Sequence, residues 1–247
     1  MPTEAPVSFA GLENQDLIEA LLQAIRSRCI SGLASAIDAY PDPVTMSTAF
    51  NSVARTLYRQ DKDVSNMLVA GDTGLAYCLK KSAVESDKDR ARELKKLARI
   101  IAFNTAANCW PGWGDAGIVI AKSHISAAIE LAAKCRDLSQ ELAQAPRERG
   151  GAHWLVGALE LAAGRFSAAR SAFEEAERVY GSDEALSSYV LMARGYIALA
   201  QKAEPQSHMA NAEALNKALE QLRFEGSKDA IFFAEQIATA DRLLFAK

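Results

Sequence analysis

The sequence predicts an all-α protein of stacked antiparallel helical hairpins closed by a C-terminal capping helix, and three observations carry that prediction. Apolar residues recur at three- and four-residue spacing along most of the chain, the period of a helix with one buried face. Strand signals are nearly absent, with few β-branched runs and little alternation. Proline, glycine and polar clusters cut the periodic stretches into pieces of helix length. The 247 residues are 49% hydrophobic and 24% charged, the composition of a globular chain with a sizeable core. One helical-repeat domain over residues 1–247 is expected, with a weak boundary at 145–151.

Taken in order, Leu17, Leu21, Ile25 and Cys29 step by four and draw the first apolar stripe. Tyr40-Pro41-Asp42-Pro43 ends that region, since two prolines do not sit in a helix interior. Thr45 or Ser47 then caps a helix toward Gln60, with Phe50, Val53, Ala54 and Leu57 as its apolar face. Asp61-Lys62-Asp63 reads as a polar turn, and a helix follows from Val64 to about Ser82. Gly71 and Gly74 weaken that helix by about 1 kcal/mol each relative to alanine, unless a neighbouring helix approaches there. Residues 86–99 are strongly charged, and Leu94, Leu97, Ile100 and Ile101 carry the same helix into the core.

Trp110-Pro111-Gly112-Trp113-Gly114-Asp115 reads as a turn. The next helix is expected from Asp115 or Ala116, with Ile118, Ile125, Ile129 and Leu131 on it. Ala145 to Gly151, with one proline and two glycines, reads as a loop. Helices over 152–163, 166–180, 184–202, 208–222 and 228–245 complete the chain. The last places Phe233, Ile237, Ala240 and Leu244 inward and Asp229, Glu235 and Asp241 outward, as the end of a helical stack requires.

Gly157, Gly164, Phe166, Ala169, Phe173 and Ala176 follow a recognisable spacing of small residue, helix-ending glycine, aromatic, alanine, aromatic, alanine. Over residues 152–178 this resembles a tetratricopeptide repeat. Small residues stand where two helices of a hairpin cross, Gly164 ends the first helix, and Phe166, Phe173 and Ala176 fill the contact with the next unit. The family's tryptophan position falls on His153, its tyrosine on Glu160, and Gly181 stands where a proline is usual. A second, weaker unit follows with Ala193, Tyr196, Ala212, Leu215 and Leu219. The resemblance implies a concave groove that grips a peptide or helix of another protein. It offers Trp154, Leu155, Glu160 and Arg194 as groove-lining positions.

No catalytic or metal pattern stands out. The three histidines, His124, His153 and His208, are widely spaced, and no zinc-binding, phosphate-loop or nucleophile-elbow spacing occurs. Four cysteines at irregular separations are expected as buried structural thiols. Arg170, Glu174, Glu175 and Arg178 make helix-surface ion pairs. Lys88, Arg90, Arg92, Lys95, Lys96 and Arg99 form either a solvated basic face or a landing surface for an acidic partner. The turn Trp110–Trp113 is either an exposed anchor for a partner or a pair of rings folded back onto the helices.

A formal net charge of −3 gives no general attraction to nucleic acid or anionic membrane. No membrane-spanning stretch and no secretory signal are expected, which makes the cytoplasm the expected compartment. The expected function is a non-enzymatic scaffold that binds a protein or peptide, with no cofactor, metal, nucleic acid or membrane involved. The alternative is an α-helical enzyme or small-ligand-binding domain with a site assembled from distant residues.

Overall fold

The computed structural model describes residues 15–204 and 209–245, without the side chains of Met209 and Ala210. His208 therefore lies outside the described residues. Within them the chain is all-helical, with eleven α-helices and no strand. They are α1 (Gln15–Arg26), α2 (Ile30–Ala39), α3 (Pro43–Arg59), α4 (Val64–Val84), α5 (Lys88–Ala107), α6 (Lys122–Glu141), α7 (Pro146–Ala162), α8 (Phe166–Tyr180), α9 (Ser187–Ala203), α10 (Met209–Glu225) and α11 (Lys228–Phe245). Two compact units divide the chain: one ends at Asn108 but reclaims Gly117–Val119, and the other comprises Cys109–Ala116 and everything from Ile120 onward. The segment 145–151 falls inside the second unit.

In the first unit α3, α4 and α5 pack on one another, and α1 covers α3 and α4. Acidic caps start each of the three central helices. Asp42 accepts from the Thr45 N–H, Asp63 from Asn66 and Asp87 from Asp89 and Arg90. Each satisfies donors that the first turn leaves unpaired. Pro43 at the head of α3 has no N–H to orphan and a φ already suited to a helix. The glycines of α4 mark close approach. A Cβ on Gly71 would lie 2.2 Å from Thr105 Oγ1 of α5, and one on Gly74 would lie 2.6 Å from Phe50 Cβ of α3.

Four expectations need correction. The cap of α3 is Asp42, not Thr45 or Ser47, and the helix already begins at Pro43, since proline suits a first helical position. The stripe from Leu17 to Cys29 does not run through one helix, because α1 ends at Arg26 and Arg28 turns at φ 53°. Cys29 is consequently exposed, not buried, and its Sγ accepts from the Gly32 N–H as the cap of α2. The helix expected from residue 115 or 116 begins only at Lys122. Gly114 and Gly117 hold φ of 67° and 76°, a left-handed backbone that no helix contains, so the irregular segment persists. Finally, 146–151 is not a loop but the start of α7. Pro146 occupies the first helical position, and Gly150 is there for contact: a Cβ on it would meet the Tyr180 ring at 2.4 Å.

In the second unit each helix from α6 to α11 packs on the next. The pairs in contact give their directions. Gly150 meets Tyr180 and Gly157 meets Phe173, so α7 and α8 run antiparallel. Tyr189 meets Tyr180 and Tyr196 meets Phe173, so α8 and α9 do too. Ser188 bonds Glu225 and Asn211 bonds Gln201 O, which makes α9 and α10 antiparallel. By contrast Arg147 lies over Tyr189 and Trp154 against Tyr196, so α7 and α9 are parallel. Tyr189 with Phe233, Gly195 with Ile237 and Lys202 with Asp241 make α9 and α11 parallel as well. Gly164, at φ 74°, ends α7 with paired bonds, Arg165 N–H to Glu160 O and Gly164 N–H to Leu161 O. This is the double closure that a left-handed residue after a helix permits.

Candidate functional site

The parallel helices α7, α9 and α11 present side chains toward one segment of the same unit, the turn after Cys109. Pro111–Trp113 forms a single 3-10 turn, and Gly114 closes it in the left-handed region by donating to Pro111 O at 3.2 Å. Trp110 stands edge-on to Tyr196 of α9, with ring centroids 6.3 Å apart. Trp113 tilts against Trp154 of α7 at 5.9 Å. Trp154 in turn meets Tyr196 at 5.6 Å, and Tyr196 stacks on Phe173 of α8 at 5.1 Å. At Gly114 an added Cβ would lie 2.9 Å from Leu243 of α11. The result is one aromatic cluster assembled from a turn and three helices. Ring pairs at these distances add about 0.5–1.5 kcal/mol each beyond the area they bury.

The cluster carries polar atoms that it does not pair. Trp110 Nε1, Trp154 Nε1 and Tyr196 Oη are all buried and complete no aligned hydrogen bond, although the Trp110 indole leans toward the Tyr196 hydroxyl. Burial pushes the Tyr196 hydroxyl pKa upward and keeps it neutral. Both amide atoms of Gln236 are likewise buried and unpaired. On α11 Gln236 stands one helical turn before Thr239 and two before Leu243, the side chains that approach Gly114. Each such unpaired group costs on the order of 1–3 kcal/mol relative to a paired one.

The six positions expected to meet a partner do not share one surface. Trp110, Trp113 and Trp154 come together in the aromatic cluster, with Trp110 only 1% exposed, Trp154 2% and Trp113 half-buried. The rings of the turn therefore fold back onto the helices, and Trp110 and Trp154 present no surface outward. Leu155 is fully buried in the core. Glu160 closes an ion pair with Arg165 at the α7–α8 turn, and Arg194 is exposed on α9 with its Nε 2.7 Å from Glu177 of α8. Gln236, Thr239 and Leu243 were not legible as part of the site. The one signal available was a glutamine interrupting the apolar stripe Phe233, Ile237, Ala240.

Several titratable groups take part in local structure. His124 Nδ1 accepts from the Ala121 N–H at 3.2 Å and caps α6. His153 is half-buried and its pKa is lowered, first by burial and then by Arg136, Arg178 and Arg149, against the pull of Glu175. Arg178 holds the Glu175 carboxyl below the usual range. Arg170 reaches Glu174 at 3.7 Å and Glu204 at 3.3 Å. On α5, Arg90 is drawn to Asp42 and Glu85, and Arg99 is buried, so those two arginines do not belong to a free basic face. Among the described residues no group of histidine, cysteine and carboxylate side chains could hold a metal ion, and no helix is long and apolar enough to cross a membrane. No protein-family model and no curated protein matches this chain.

Proposed function

We propose that the second unit is a short helical-repeat stack, similar to tetratricopeptide repeats, that acts as a non-enzymatic module for binding another protein or peptide. The observation that carries this reading is the alternation of helix direction. Helices α7, α9 and α11 run parallel on one layer, and α8 and α10 return between them. The residues that carried the family resemblance support it too: Phe173, Ala169 and Ala176 are fully buried, and Gly157 lies against the Phe173 ring. A repeat of this kind buries its apolar side only by stacking, and its layer of first helices is the surface that meets ligands. In this reading α11 is the closing helix, with Phe233, Ile237 and Ala240 inward.

Site-specific photo-crosslinking tests the proposal. A benzoylphenylalanine at Arg194 on α9 is expected to capture one dominant protein from the native lysate. The same group at Lys217, on the exposed side of α10, is expected to capture none of it. Equal labelling at both positions, or none at either, would overturn the reading.

A further inference from the structure

We propose that the face formed by α7, α9 and α11 is a recognition site for a tryptophan-bearing turn, and that Cys109–Ala116 is its resident ligand in cis. The inference deepens the repeat-module reading and rests on it: the layer that would receive a partner is already covered by the chain itself. Each of the three parallel helices contributes to the seat. Trp154 of α7 receives Trp113, Tyr196 of α9 receives Trp110, and Leu243 and Thr239 of α11 close on Gly114. The segment reaches this face by an excursion. Residues up to Asn108 and again Gly117–Val119 belong to the first unit, whereas Cys109–Ala116 belongs to the second.

The turn is self-contained. Pro111 fixes its entry, and the Trp113 and Gly114 N–H groups bond back to Trp110 O and Pro111 O. Its shape therefore does not depend on a helix or strand on either side, which is the property of a peptide ligand rather than of a core element. The seat is apolar and well filled but its hydrogen bonds are incomplete. Trp154 Nε1 has no partner, Tyr196 Oη meets only the misaligned Trp110 indole, and the Gln236 amide, on the α11 face that carries Thr239 and Leu243, is unpaired. A core built for packing alone has little reason to hold them. A ligand whose backbone carbonyls and N–H groups reached them would bind the same face better than the resident turn does. The partner defined by this chemistry is an extended or turn peptide with two aromatic side chains flanking a proline–glycine bend.

The test is complementation in trans on the full chain. In Trp113→Ala the indole over Trp154 is removed, and in Gly114→Ala the new Cβ meets Leu243 and the φ of 67° is strained, which loosens the seat without deleting a buried ring. A synthetic peptide of residues 108–116 is titrated into wild type and both variants by calorimetry, with a peptide carrying alanine at both tryptophans as control. The variants are expected to bind the native peptide at least tenfold more tightly than wild type does, with a rise in melting temperature that the control peptide does not give. Absence of binding by a variant whose circular dichroism remains helical overturns the proposal, as does equal binding by wild type. If the peptide fails while Arg194 still captures a partner, the cis-ligand proposal falls alone. If both fail, the repeat-module reading falls with it.

Discussion

Gly157→Ala sets two known effects against each other at the one position where family resemblance and packing coincide. In an isolated helix alanine would stabilise by about 1 kcal/mol over glycine. Here the added Cβ would lie 2.6 Å from Phe173 Cε1 and 2.7 Å from Cδ1, against the 3.4 Å at which ordinary contact begins. The ring must retreat by most of an ångström, and its retreat is blocked. Phe173 is fully buried and stacks on Tyr196, which is itself fully buried between Trp110 and Trp154. Overpacking of this kind costs about 1–3 kcal/mol, and a site with no room to relax belongs at the upper end. The net is a loss of about 1–2 kcal/mol. For a chain of this size that lowers the melting temperature by about 2–8 °C. Urea denaturation followed by circular dichroism measures it. Phe173→Leu removes the ring atoms that meet the new methyl, so the double variant should exceed additivity by about 0.5 kcal/mol or more. A Gly157→Ala chain as stable as wild type, or strictly additive effects in the double variant, would mean that α7 and α8 do not close on one another at Gly157.

Two further outcomes follow from the polar groups. Cys29 is exposed, and its thiol pKa is lowered by the Ser31 hydroxyl and the Gly32 N–H, whereas burial pushes Cys78 up to about 11 and Cys109 up to about 12. Thiol titration of the native protein at neutral pH should therefore modify Cys29 first, with Cys78 and Cys109 reacting only on unfolding; peptide mapping that finds either of them modified at native pH would contradict the fold around them. The Asp42 carboxyl is lowered despite burial that opposes the shift, because the Thr45 N–H and hydroxyl and the Arg90 guanidinium favour its ionised form. A depressed carboxyl stabilises above its unfolded value and loses that contribution as pH falls through its folded value, so the advantage of wild type over Asp42→Asn should shrink between about pH 6 and about pH 3. An advantage constant across that range would show that charge is not what Asp42 supplies at the head of α3.

What could be read from the sequence divides by physical cause. Helices α8 and α11 were legible to the residue because their apolar periods are regular and Gly164, Gly181 and Gly226 flank them, whereas α10 runs three residues past its expected end at 222. The Trp110–Gly114 turn was legible from proline and glycine, which restrict the backbone locally. Where glycine served packing instead, reading failed: Gly150 and Gly151 suggested a loop, yet Gly150 lies within α7 to admit Tyr180. Cys29 misled in the opposite sense, since a four-residue step continued past a helix end that only the positive φ at Arg28 reveals. The aromatic cluster was out of reach, because its members come from residues 110, 113, 154, 173 and 196, and no local pattern records which distant ring a tryptophan meets.

The excursion of Cys109–Ala116 also orders events during synthesis. The turn leaves the ribosome long before the helices it rests on, and Gly114 cannot find Leu243 until α11 has been made. Closing a loop of that length carries an entropic cost that only the finished contacts offset. The first unit can fold early, since its main contacts lie within α1–α5. Meanwhile Trp110 and Trp113 wait as two unshielded indoles beside a proline bend, an aggregation hazard or a landing point for a chaperone. A fragment cut at the tidy gap before α6 would inherit the mirror image of that problem, a seat without its occupant, so the second unit is to be expressed from Cys109 rather than from Ile120.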